Sequence, residues 1–411
     1  MKKLLVVLCA ILLATSIFMS CSKEQATGGS ASNSGKIELT FWHYFTPPTG
    51  PVFEEFIERY NNSQDKIVVI PEFVPPAELL KQYTIGAISG ELPDFGMIDN
   101  PDHASFSAMG VFEDLTDYYN NWDEANFFDG PINSCMYNGR IYGLPQASNC
   151  LALFYDEDML EAAGVEVPTT WSELEAACAE IVKQGVYGFA MCAIGAEEGT
   201  FQFVPFLESA GSFDDLDSPG SIEAMEFLGS LIEKGYMSRE VINWVQNDVE
   251  KQFSAGTVAM MVNGPWNVPS VRANAPDKNW NVAYIPRANN GEHASVLGGE
   301  NFVICEGADV DAAWDFLTWF CGKEISEEYN KTVGKFSPRS DVDGAAMYAD
   351  DEVLTVFATL MDSAQPRGPH PRWPEISSAV YTAMQEVFSG QKAADIAMQD
   401  AQIKVDRILF E

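Results

Sequence analysis

Apolar and polar positions change period repeatedly along this chain. Residues 36–44, "KIELTFWHY", alternate as a strand does, and over 51–60 the spacing becomes helical, with Phe53, Phe56 and Ile57 on one face. "KIVVIPEFV" predicts a second strand, 76–89 a second helix, "PDFGMID" a third strand and the stretch through Ala108 a third helix. Strands alternating with helices predict a parallel sheet covered on both faces, with ligands beyond the carboxyl ends of its strands. That rule puts the loops at 43–46, 73–75 and 99–100 on one rim.

The middle of the chain repeats the pattern. "GRIYGLPQASNCLALFYDEDML" reads as extended chain entering a helix, and Thr170-Trp171-Ser172-Glu173 is a capping box opening the helix through Lys183. "VYGFAMC" is a strand, followed by helices over 202–209, 221–234 and 246–254. "VAMMVNGPWN", 258–267, is a strand cut short by Asn263-Gly264-Pro265, with the indole of Trp266 beyond it. "NVAYIP" and "SVLGGENFVIC" add strands, 310–329 one amphipathic helix, and the tail three more over 352–362, 375–388 and 393–409. The reading is α/β: two α/β lobes and a helical tail.

A chain of 411 residues exceeds what one core usually serves, which agrees with two lobes. The formal net charge of -36 repels nucleic acid, so no nucleic-acid partner is expected. Lys2 and Lys3 precede the apolar run 4–19, which ends at Ser20-Cys21. That is an export signal, and the run is short for a membrane span. Small residue then Cys resembles the lipobox of bacterial lipoproteins, although Phe18 stands where that motif usually has leucine. The expectation is a leader over 1–20, acylation of Cys21, a flexible tether over 21–35 and attachment to a membrane by lipid. Beyond Cys9 and Cys21 lie Cys135, Cys150, Cys178, Cys192, Cys305 and Cys321, whose pairing the sequence leaves open.

No local catalytic signature is present. There is no G-x-S-x-G, H-E-x-x-H, P-loop or G-x-G-x-x-G, and His43, His103, His293 and His370 lack metal-ligand spacing. No metal or cofactor is expected. Acid pairs of the glycoside-hydrolase kind are uninformative among 60 acidic residues. The loops do offer aromatics beside polar groups: Trp42, His43 and Tyr44; Trp266 and Asn267; Gly298 to Asn301; and Arg372 with Trp373. Sugars suit such loops, their C–H faces lying on rings and their hydroxyls taking hydrogen bonds. Core packing is an equally simple account of Trp266 alone.

"LTFWHYF", "YNNSQDKIVV", "GELPDFGMID", "YGLPQAS", "LFYDEDMLEAAGVEVPTTWSEL", "YGFA", "FSAGTVAMMVNGPWN", "VLGGENFVI", "AAWDFLTWF" and "PRGPHPRWPEIS" follow one another in the order found in family 1 extracellular solute-binding proteins. The chain resembles these maltose-binding-protein-like receptors of ABC importers over essentially its whole mature length. The resemblance implies a periplasmic-binding-protein fold of type II kind, a first lobe of 36–147 with 288–336, and a second of 148–287 with 337–411. It implies hinge crossings near 146–149, 285–288 and 335–339, a sugar or polyol as ligand, and ABC permease subunits as partner. The protein would be a monomer and not an enzyme.

By position the resemblance places Trp266, His43, Tyr44, Asp99, Gly299, Glu300, Arg372 and Trp373 at the ligand, with Glu72 as a polar residue near a strand end. Simpler roles stand beside these. Tyr44 would be a lid over core, Asp99 a helix cap, Glu300 a solvated turn residue, and Arg372 a partner for a nearby acid. Rival functions are a receptor of the same fold for a glycerol phosphate or phosphodiester, a lipid-anchored glycoside hydrolase, and a sensor without transport.

Overall fold

The structure is a computed structural model that describes residues 35–361 and 364–410. The expected leader and Cys21 lie outside the described residues. Among those described, no helix is long and apolar enough to cross a membrane.

A five-stranded sheet runs Ile67–Phe73, Ile37–His43, Phe95–Asp99, Glu300–Ile304, Gly143–Pro145. The first three strands are parallel, as the alternation predicts, and Glu300–Ile304 runs against both its neighbours. That reversal matters for the site. It pairs Glu300 with Asp99, so the Gly-Gly-Glu-Asn turn meets the carboxyl end of the third strand. One face of the sheet is a cluster of phenyl rings, with Phe41 4.8 Å from Phe95 and 5.2 Å from Phe302. Phe53 and Phe56 of helix Thr49–Ser63, and Phe316 and Phe320 of helix Val310–Phe320, complete it. Each buried ring contributes roughly 1.5–3 kcal/mol by leaving water. Leu79, Tyr83, Phe106 and Phe112 cover the opposite face.

The other main sheet has four strands, Trp280–Ala283, Ala152–Asp156, Val258–Asn263 and Tyr187–Ala190. The helices of the tail pack with this lobe, burying Trp373, Val380, Met384, Met398 and Val405 beside Phe203 and Leu228. The capping box forms as read: Thr170 accepts from the Glu173 N–H, and Glu173 reaches back to the cap.

Two readings are corrected. Residues 310–329 are not one helix but two, Val310–Phe320 and Lys323–Val333, because Gly322 takes an extended ψ of 154° and caps the second. The helix read over 202–209 starts at Glu197, which brings two acidic residues into its first turn. A two-stranded ladder had no counterpart in the pattern. Ser295–Leu297 pairs in parallel with Ala364–Pro366, and Leu297 opposite Pro366 sets Gly298 and Arg367 as the next residues of the two strands.

Candidate functional site

Arg367 is the centre of the site. Its side chain is 2% exposed, its guanidinium carbon lies 4.3 Å from the centre of the Phe201 ring, and it binds two carboxylates, Asp99 at the end of a strand of the five-stranded sheet and Glu197 in the first turn of a helix. Nη1 donates to Asp99 Oδ2 at 3.2 Å and also to Glu197 Oε1. Glu197 and Phe201 are four residues apart on one helix and so share a face, which is why one arginine meets both. Burial opposes the charge on Arg367, and Asp99 and Glu197 more than restore it. Phe201 in turn lies 6.2 Å from Trp266. Nearer the first strand's end, Asn247 Nδ2 donates to Thr46 Oγ1 at 3.4 Å.

The acids here outnumber their cations. Asp102 is 4% exposed, and burial, with Glu197 and Asp99 close by, pushes its carboxyl well up against the pull of Arg367. Burial likewise raises the Glu197 carboxyl, again against Arg367. Tyr44 is half-buried, and burial followed by Glu300, Asp99 and Asp102 holds its phenol protonated far above the usual range. Glu300 is buried and accepts from Lys335 at 2.5 Å, while the Lys335 ammonium lies 4.9 Å from the Phe45 ring centre.

The floor of the site is glycine by necessity. Gly299 has φ +151°, and a Cβ there would stand 2.1 Å from the Ala147 carbonyl oxygen. Its own carbonyl accepts from the Asn100 N–H at 3.1 Å. At Gly298 a Cβ would meet Asn149 Oδ1 at 2.3 Å and the Phe201 ring at 2.9 Å. Gly264 is required for a related reason. A Cβ there would collide with the Trp266 indole at 1.9 Å, so the Gly-Pro turn lets that ring fold back over the backbone.

Of the residues expected at a ligand, the structure gathers Tyr44, Asp99, Gly299 and Glu300 around Arg367, with Trp266 joined through Phe201. Asp99 serves twice, since Oδ1 also caps the turn Asn100–Asp102 by accepting from the Asn100 N–H. Trp373 is a core residue, 3% exposed, whose indole N–H donates to Glu197 at 3.1 Å. The structure takes three others elsewhere. His43 is 1% exposed and packs on Phe45, Phe53 and Phe73, and burial lowers it to about 4, so it is a neutral core ring. Glu72 pairs in register with Trp42 and accepts its indole N–H at 3.0 Å. Arg372 is bound at 2.7 and 2.8 Å by Glu375 of its own helix.

Sequence reasoning passed over Arg367, Glu197, Phe201, Asp102 and Lys335. Arg367 lies in the stretch "PRGPHPRWPEIS", five residues before Arg372. Among the described residues no group of His, Cys, Asp and Glu is arranged to hold a metal ion.

The sequence matches the family described as bacterial extracellular solute-binding protein over residues 55–356. The chain belongs to this family. Among its relatives, a binding protein of Brucella abortus is 26% identical over 391 residues, covering 92% of this chain and 95% of the relative. The maltotriose-binding protein of Pyrococcus abyssi is 25% identical over 378 residues, covering 88% and 80%. A solved structure of an ABC transporter solute-binding protein from Thermotoga lettingae, bound with alpha-D-tagatose, is 25% identical with a TM-score of 0.82, covering 91% of this chain and 100% of that one. The periplasmic-binding-protein fold expected from the sequence is the fold of this solute-binding protein, and the family is extracellular by description.

Proposed function

We propose that this protein is the exported receptor of an ABC importer and captures a sugar between its two lobes, without chemistry. The observation that carries the reading is Arg367, stacked on Phe201 beside Trp266 while it holds Asp99 of one lobe and Glu197 of the other. Aromatic rings next to fixed donors and acceptors are what a polyhydroxyl ligand requires. A ligand touching both sides stabilises closure by its differential affinity for the closed state, and the permease then reads closure.

Membership of the two sheets supports the lobe boundaries read from the sequence, since 143–145 and 300–304 lie in the first sheet and 152–156 and 280–283 in the second. Acylation at Cys21 supplies the membrane attachment, and the receptor acts as a monomer. The phosphate-binding alternative loses support: Arg367 and Lys335 are both committed to carboxylates, and Arg372 pairs with Glu375.

Calorimetric titration of the mature chain with a panel of mono- and oligosaccharides tests the proposal. Saturable binding is expected, the sugar is recovered intact, and Trp266→Ala weakens it about tenfold or more. Cleavage of the sugar would instead favour the hydrolase.

A further inference from the structure

The cleft has a surplus of acceptors, and this bears on which sugar the proposed receptor takes. Around the Tyr44 phenol stand Asp99, Asp102 and Glu300, with Glu197 beyond Arg367. Lys335 is matched by Glu300, and Arg367 is shared by Asp99 and Glu197. Among the described residues Asp102 has no ion-pair partner of its own, although it is 4% exposed.

A second observation is independent of charge. Three buried acceptors here have no hydrogen-bond partner: Glu300 Oε2, Asn100 Oδ1 and Asn149 Oδ1, in residues 8%, 6% and 5% exposed. All three border the Gly298–Gly299 turn, whose neighbours are the Asn100 amide, the Asn149 oxygen and the Phe201 ring. Arg367 Nε and the Tyr329 hydroxyl, which lies near Glu300, are unpartnered donors, and Gln146 and Ser148, further along the chain crossing, bring donors as well as acceptors. Near Tyr44 acceptors dominate. A hydroxyl arriving there brings one donor and two more acceptor sites, whereas an ammonium brings three donors, no acceptor and a positive charge.

We propose that the cleft takes a sugar bearing a protonated amine, whose ammonium is held by Asp102, Asp99 and Glu300. This rests on the receptor reading above and names its ligand class. Phosphorylated and uronic sugars are excluded by the same carboxylates.

Calorimetry on the full mature chain decides it, with 2-amino-2-deoxy hexoses of gluco, galacto and manno configuration, their N-acetyl and 2-hydroxy counterparts, and their disaccharides. The free amine is expected to bind at least about tenfold tighter than its N-acetyl and hydroxyl partners, and added salt should shrink that advantage. Glucose 6-phosphate should not bind. In Asp102→Asn, with folding checked by thermal melting, the amine advantage should largely disappear. If that variant fails to fold, the salt dependence of the native chain carries the test. Neutral sugars binding as tightly as the amine, or an advantage indifferent to both salt and D102N, would overturn the charge class and leave the receptor standing. Failure of every sugar on the panel would remove both.

Discussion

Two buried cations in this protein lie on phenyl rings, Lys335 over Phe45 and Arg367 over Phe201. Their surroundings differ. Lys335, 4% exposed, meets one carboxylate that is itself 10% exposed, a matched pair closed to water. Arg367 is as buried, but its carboxylates at Asp99 and Glu197 are 27% and 22% exposed, and Asp102 adds a third charge without a partner. A matched pair is a device of architecture; an unmatched one stores electrostatic strain that a ligand can relieve. Lys335 thus holds one oxygen of Glu300 in the fold, whereas the acids around Arg367 are the ones the proposed ammonium would neutralise.

Removing each cation should break the molecule in different ways. Lys335→Met strands Glu300 in the interior, and urea denaturation should show a loss of about 3–5 kcal/mol. Arg367→Met leaves carboxylates that water can reach, so its stability loss should be smaller, about 1–2 kcal/mol, while sugar affinity falls more than tenfold. Equal stability losses would erase the distinction.

Acid acts on the first lobe through His43. Unfolded, the ring takes its proton at 6.5; folded, not until about 4. Between those values the unfolded chain holds more protons, so stability falls as pH falls through that window, by an amount of order 3 kcal/mol. Melting temperature against pH should show the slope, and His43→Phe, which fits its aromatic neighbours, should flatten it.

Asp102→Asn has the smallest expected effect and the opposite sign. The Asp102 carboxyl is raised in the fold, so its charge disfavours folding at neutral pH, and the amide should gain about 1 kcal/mol. A loss of stability would mean that Asp102 is structural.

Much of this was legible in the chain. The alternation of strand and helix, the capping box and the loop ends on one rim follow from local period and need no partner. His43 was expected at the ligand, yet Leu39, Phe41 and His43 share one parity of the first strand, and parity, which decides the face a side chain meets, puts its ring in the core. Tyr44 escapes that parity by lying past the strand end. Arg367 was not legible. Its partners are 268 and 170 positions away, and they become neighbours only after an antiparallel strand and a late two-stranded ladder have set their registers. Glu72 shows the same limit, because only strand pairing reveals Trp42 as its partner.

The six cysteines of the described fold are all buried free thiols, and burial raises the pKa of each. An exported chain built this way needs no oxidant to reach its native state. Its thiols are also distributed through the core: Cys178 in one cluster, Cys150 and Cys192 in another, Cys321 among the phenyl rings and Cys305 behind the first sheet. Each would react with an alkylating reagent only when its own neighbourhood opens. The molecule therefore carries its own reporters of local breathing, at least one in every layer, with no label to be introduced.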